Sequence, residues 1–288
     1  MDYLIIRMLC SFFCGCILSQ SGSLIQLGTK NILSSPSTLG FDGLVVLWIL
    51  LIHSATLWAG VESEWIFWAG VPVFILTGCW YRSFYDGRSQ FERIILLGIT
   101  FNLAVGAIFS LWQFLFLAFN LPFPIELWFG HFRFAETSLL LKLFFTEIVM
   151  LSGLWYFRKD LQLFTLGRSI SKNFKLNEQN LFSFIFIAIS FSTYIVISSF
   201  GAFSFLGLVF PLVSRRLWFR KFDLEGELFW GGLLNGLCFM LMDYLCYEFP
   251  VYGAEIPVGL IVTGVGALSL IVILWKSTDR ELLAKPKK

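Results

Sequence analysis

The chain has 288 residues, of which 57% are hydrophobic and only 14% charged, with a net charge of +2. Soluble domains carry roughly 25% charged residues, so this composition cannot cover a globular surface and excludes a soluble protein. The small net charge also excludes a nucleic-acid partner held by a basic face, and attention passes to where the charges lie.

A helix needs about 20 apolar residues to cross the hydrocarbon core. In chain order the sequence predicts charge-free spans over 8–29, 43–61 and 65–81. Residues 94–125 stay uncharged for 32 positions, which predicts one long or tilted helix and an exit loop. Residues 137–157 form a span containing Lys142 and Glu147. The next uncharged run, 179–214, covers 36 positions. At about 1.5 Å per residue it is too long for one crossing and barely enough for two. The break falls in SSFGAFS, where Gly201 and three serines loosen the helix. Residues 181–199 then cross and a short helix over 203–218 returns. Spans over 228–247, containing Asp243, and 256–275 complete the chain. The expected fold is an all-α polytopic membrane protein of about nine transmembrane helices, one transmembrane domain over 1–288.

Alternate connections then sort the charges. One set holds Lys30; Arg82, Arg88 and Arg93; Arg158, Lys159, Arg168, Lys172 and Lys175; Arg215, Arg216, Arg220 and Lys221; and the C-terminal cations from Lys276 onward, 18 of the 21 basic residues. The other set holds Glu62, Glu64, Glu126, Glu136, Glu248 and Glu255, with Arg133 as its loop cation. The positive-inside rule places the first set in the cytoplasm, and with it the C-terminus. Nine spans then leave Met1 outside, so either the basic loops that follow drive insertion of the first helix or a span precedes it.

Several residues stand out within the spans. Gly98, Asn102, Gly106 and Ser110 recur every four positions, a small and polar stripe that suits close helix packing or a polar path. Ser11, Gly15 and Ser19 form a similar stripe, read as packing. Intramembrane charges are costly and usually functional. Asp243 shares a face with Gly232, Asn235 and Gly236, which predicts a protein-facing, hydrogen-bonded role. Lys142 can snorkel toward the interface. Glu147 lies about 140° around the helix from it, so the two are poor partners and Glu147 is expected to make a separate contact inside the bundle. The six cysteines fall in apolar stretches and read as small buried hydrophobes, with no metal set and no disulfide framework implied. No G-x-x-x-x-G-K-[ST] occurs, so the chain has no phosphate-binding loop of its own.

Five ordered stretches carry a resemblance. GAFSFLGLVFPLVSRR (201–216) is similar to the G-x-I-x-F-x-G-L-x-x-P-H-x-x-R signature of FecCD-type permeases, with Gly201, Gly207, Pro211 and Arg215 in place. IQLGTKNILSSPSTLG, FERIILLGITFNLAVGAIFS, LQLFTLGRSISKNFKLN and AEIPVGLIVTGVGALSL resemble the family's other motifs in the same order. The sequence departs at Leu212 for the signature histidine, Leu268 for a proline, Asn31-Ile32 for an asparagine–proline pair and Arg168-Ser169 for an acidic pair. The family usually has ten spans, and the one without a counterpart is the first.

The resemblance implies the membrane subunit of an ATP-driven importer for iron–siderophores, haem or cobalamin in the bacterial cytoplasmic membrane. It implies a homodimer around a central path, two ABC ATPase subunits below and an extracytoplasmic substrate-binding protein above. The chain itself would hold no cofactor, ATP being used by the partner. Residues 158–180, with Leu161, Leu166, Gly167, Arg168, Ser171 and Lys172, would form the cytoplasmic coupling loop. The 94–119 helix would line the path. Arg7 matches the second arginine of the family's R-x-P-R and is expected, with Arg133, to meet the binding protein; Leu4 and Ile6 replace the first arginine and the proline. Two rivals come from other classes. An intramembrane hydrolase would need acid or base groups converging on Asp243 or Glu147, and the two histidines, His53 and His131, lie on different segments. An ion-coupled secondary transporter would predict inverted repeats and paired broken helices, whereas one break and no repeat are visible.

Overall fold

The structure is a computed structural model, and it describes residues 2–59, 63–83, 91–120, 128–165, 177–203, 205–217, 226–251 and 254–283. Within them the chain forms nine helices: α1 (Tyr3–Thr29), α2 (Phe41–Ala59), α3 (Ser63–Ser83), α4 (Phe91–Ala118), α5 (Thr137–Thr165), α6 (Glu178–Phe200), α7 (Leu206–Leu217), α8 (Glu227–Glu248) and α9 (Val258–Leu283). Five of these, α1, α4, α5, α6 and α8, are long and apolar enough to cross a membrane by length and composition. The Val251–Ala254 bridge is the one β-type pairing among the described residues.

Helix directions follow from which residues meet. Phe13 packs on Phe144 and Gln20 reaches Glu147, so α1 and α5 run parallel. Arg7 meets Asp243 while Gly15 meets Gly236, so α8 runs antiparallel to α1. Ser21 bonds Ser192 and Gly28 lies against Ile185, which makes α6 antiparallel to α1 as well. The α3–α6 pair is antiparallel too, joined by the Thr77–Ser190 hydroxyl bond at 2.8 Å and the Tyr194 hydroxyl donating to the Phe67 carbonyl at 2.7 Å.

The doubling back expected in SSFGAFS is present. α6 stops at Phe200, and Gly201 adopts φ +85°, a left-handed conformation that costs a glycine little. α7 then returns beside α1, with Gly207 level with Leu18 and Gly22 and Arg215 reaching the level of Gln26 and Lys30. At 12 residues α7 rises only about 18 Å, short of the roughly 30 Å core. The backbone opened by the break is paired inside protein, as lipid requires. The Gly130 amide donates to the Ala202 carbonyl and the His131 amide to the Phe200 carbonyl, both at 2.9 Å.

Burial ranks the helices. In the apolar stretches of α6 and α1, 72% and 61% of residues are buried, against 17% for α4, so α1 and α6 form the centre and α4 the margin. α5 departs from the expected boundary. It continues to Thr165, so residues 158–165, expected as the start of the coupling loop, are its last two turns.

Candidate functional site

α1 carries the densest polar inventory of the bundle, with Arg7, Ser11, Ser19, Gln20, Ser21, Ser23, Gln26 and Thr29 all buried. Polar groups at that depth need partners from neighbouring helices, and two centres supply them. At one end, Arg7 is 2% exposed. Its Nε and one terminal nitrogen donate to the two carboxylate oxygens of Asp243 at 2.9 Å each. The other terminal nitrogen donates to Glu255 at 2.7 Å, and the guanidinium lies 4.9 Å from the Tyr247 ring centroid. A planar guanidinium suits this bidentate use. The hydrogen-bonded role expected of Asp243 is thus met by a residue 236 positions away. Arg7 faces the interior and not the surface where docking was expected, while Arg133 is exposed, its carbonyl accepting from the Tyr3 hydroxyl at 2.8 Å.

Nearer the middle of α1, Gln20 Nε2 donates to Glu147 Oε1 at 2.8 Å. The second Glu147 oxygen and Gln20 Oε1 are both buried without a hydrogen-bond partner. Lys142 sits elsewhere, over the Phe67 ring at 3.9 Å, as the 140° separation from Glu147 anticipates. One position before Gln20, Ser19 Oγ accepts from Asn235 Nδ2 at 2.6 Å, and the same amide reaches Ser214 Oγ at 3.5 Å, tying α8 to α1 and α7.

The signature stretch is explained by its contact with α1. Pro211 lacks an N–H, so the Gly207 carbonyl loses its partner within α7. That carbonyl oxygen faces Gly22, where any Cβ would overlap it. The glycine pair lets two backbones meet there, and the proline frees the carbonyl that fills the gap. Gln26 Nε2 donates to the next carbonyl, Leu208, at 3.1 Å. Arg215 closes α7 by an ion pair at 2.5 Å with Glu227, which opens α8 in a π-helical turn, Glu227–Gly231. Neither Glu227 nor Gln20 was singled out from the sequence.

Of the α4 stripe, Gly98 lies against the Thr38–Leu39 backbone and Asn102 donates to the Ser37 carbonyl, so these two pack on the segment leading into α2. Gly106 approaches Trp128, while Ser110 is exposed and bonds back to the Gly106 carbonyl. A cavity of about 300 Å³ lies between this face and α7, lined by Asp42, Asn102, Leu103, Trp128, Phe205 and Leu208. Leu161 is fully buried near the end of α5. Leu166, Gly167, Arg168, Ser171 and Lys172 lie outside the described residues.

Residues 1–276 match the model of the FecCD transport family. The chain is similar to the petrobactin import system permease protein FatD of Bacillus anthracis, 28% identical over 91% of this chain and 77% of that protein. It is also similar to the ferric enterobactin transport system permease protein FepG of Escherichia coli K12, at 24% over 96% and 82%. The vitamin B12 import system permease protein BtuC of Photorhabdus laumondii is 23% identical over 95% and 80%. Among solved structures, an inward-facing metal-chelate type ABC transporter shares the fold with a TM-score of 0.77 at 21% identity, covering 94% of this chain and 85% of that one. With one family matched along nearly the whole sequence, the chain is a membrane-embedded transport permease belonging to the FecCD transport family.

Proposed function

We propose that the chain moves an iron–siderophore-, haem- or cobalamin-like chelate across the bacterial cytoplasmic membrane as the permease of an ATP-driven importer. The family match over residues 1–276 carries this reading, and the import substrates named for FatD, FepG and BtuC supply the class of cargo. Two copies pair across the exposed faces of α4, where Leu97, Leu103, Leu111 and Phe114 lie open. The connector between α5 and α6 faces the cytoplasm and receives the ATPase subunits, as does the C-terminus; a binding protein delivers cargo on the opposite side, near Arg133. ATP is bound and hydrolysed on the partner subunit. Transport is alternating access: nucleotide and cargo each shift the permease between two packings through their differential affinity for them.

The test is uptake of 55Fe-labelled siderophores, haem and labelled cobalamin by cells with and without the chain, and by proteoliposomes holding the chain with its ATPase. The proposal expects ATP-dependent accumulation of one chelate class, abolished by an ATPase variant that cannot hydrolyse and maintained with a protonophore. Uptake that survives the ATPase variant and collapses with the protonophore would identify an ion-coupled carrier and overturn it.

A further inference from the structure

A groove of about 600 Å³ lies between α3, α5 and α6, well away from the cavity beside α4. Its volume falls in the ~300–1,000 Å³ range of sites that hold small molecules. Its lining changes character along its length. At the connector end it presents Asp160, Asn177, Asn180 and Ser183; deeper in the bundle it presents Val149, Phe184, Ile187 and Phe191. The floor is firm, with Phe157 stacked on Phe184 at 4.6 Å and 19°.

The dimensions identify the occupant. From Asn177 to Phe191 the chain advances 14 positions along α6, a rise of about 21 Å. One bilayer leaflet offers about 15 Å of hydrocarbon and about 5–7 Å of headgroup. The polar residues, Asn177 to Ser183, take about 9 Å of that rise and the apolar ones, Phe184 to Phe191, about 10.5 Å. Trp155 and Tyr156 are 69% and 79% exposed near the changeover, where amphipathic aromatics mark a membrane interface. At the polar end the fixed charge lining the groove is negative. Asp160 makes no ion pair among the described residues; Arg158, two positions before it, is folded over the Trp155 ring at 4.0 Å, and the intervening Lys159 is exposed and does not line the groove.

We propose that this groove is a binding site for one phospholipid with a primary-amine headgroup, drawn from the leaflet on the side of the α5–α6 connector. One acyl chain lies along Val149, Phe184, Ile187 and Phe191, and the ammonium meets the Asp160 carboxylate beside the Asn180 amide. A bound lipid there wedges α5 against α6 near their Thr165 and Glu178 ends.

The test is lipid retention by the purified transporter, the chain with its partner subunits, exchanged into an equimolar mixture of phosphatidylethanolamine, phosphatidylglycerol and phosphatidylcholine. Native mass spectrometry then counts the lipids that resist delipidation. The expected result is one phosphatidylethanolamine per permease chain, favoured by about fivefold over phosphatidylglycerol, the strength of a well-placed exposed ion pair, and by a similar factor over phosphatidylcholine, whose quaternary ammonium has no N–H to donate to the carboxylate. Asp160→Asn, which is isosteric, removes that preference while the amount of folded protein stays unchanged. Ala188→Trp, which fills the apolar part, lowers retention of all three. Equal retention of the three lipids by the wild-type transporter, a preference for phosphatidylglycerol, or an unchanged preference in Asp160→Asn would each overturn the proposal. The wild-type competition decides even where a variant fails to fold.

Discussion

Two carboxylates meet α1 inside the bundle, and they are treated in opposite ways. Asp243 receives both arms of the Arg7 fork, and Glu255 completes the group, so every charge there has a partner of opposite sign. Glu147 receives one bond from a neutral amide and keeps a buried oxygen without any. Both acids lie among packed helices, so depth does not distinguish them; the partner does. Neutralised charge ties α1, α8 and the loop before α9 into one unit. The half-served amide–acid contact between α1 and α5 holds less tightly, and an importer that alternates between packings needs such a seam.

Removing one member of the satisfied group has the largest expected effect. Asp243→Ala leaves a buried guanidinium paired only at its edge and costs about 3–5 kcal/mol. Unfolding by sodium dodecyl sulfate in bicelles measures it, and a loss below about 1 kcal/mol would break the contrast. The double variant Arg7→Leu with Asp243→Leu recovers most of that loss, because an apolar pair leaves no charge uncompensated. Failure to recover would mean that the fork specifies the fold in addition to neutralising itself. A smaller effect is expected at the other centre. Gln20→Leu removes the single donor to Glu147 and costs about 1 kcal/mol, the scale of a hydrogen bond between helices in lipid. The smallest is Glu147→Gln. An amide there keeps the bond from Gln20 and offers an N–H to its idle carbonyl oxygen, so stability stays level or rises by up to about 1 kcal/mol. A large loss in this variant would show that the Glu147 charge is required, and the two centres would no longer differ.

The sequence disclosed the bundle because its signals are local. Uncharged runs mark spans, and a run of 36 residues that ends on two arginines must turn within itself. The turn at Gly201 and the short return of α7 follow from that length together with the glycine and serines of SSFGAFS. Angular reasoning along one helix also worked, separating Glu147 from Lys142 and turning Asp243 toward protein. What stayed hidden was every pairing between distant segments. Arg7 and Glu255 are 248 positions apart, and nothing local to either tells that they touch. The arginine motif pointed outward because it compares Arg7 with a position in relatives, whereas its burial depends on where α8 places Asp243. The last two turns of α5 were read as connector because Arg158, Lys159 and Asp160 end the apolar run, although Leu161 and Phe164 restore a buried face beyond them.

The broken backbone at Gly201 also dictates an order of assembly. Its carbonyls at Phe200 and Ala202 are served by the amides of His131 and Gly130, and the Gly130 carbonyl in turn accepts from Gly259 at 3.0 Å. The ribosome delivers the first of these three strips about 70 residues before the second and about 130 before the third. Until the second strip arrives, the amides of the earliest must stay solvated, and the Gly130 carbonyl stays so until Gly259 of α9 emerges. This face of the protein therefore closes only after α9 emerges, whatever order the spans entered the bilayer.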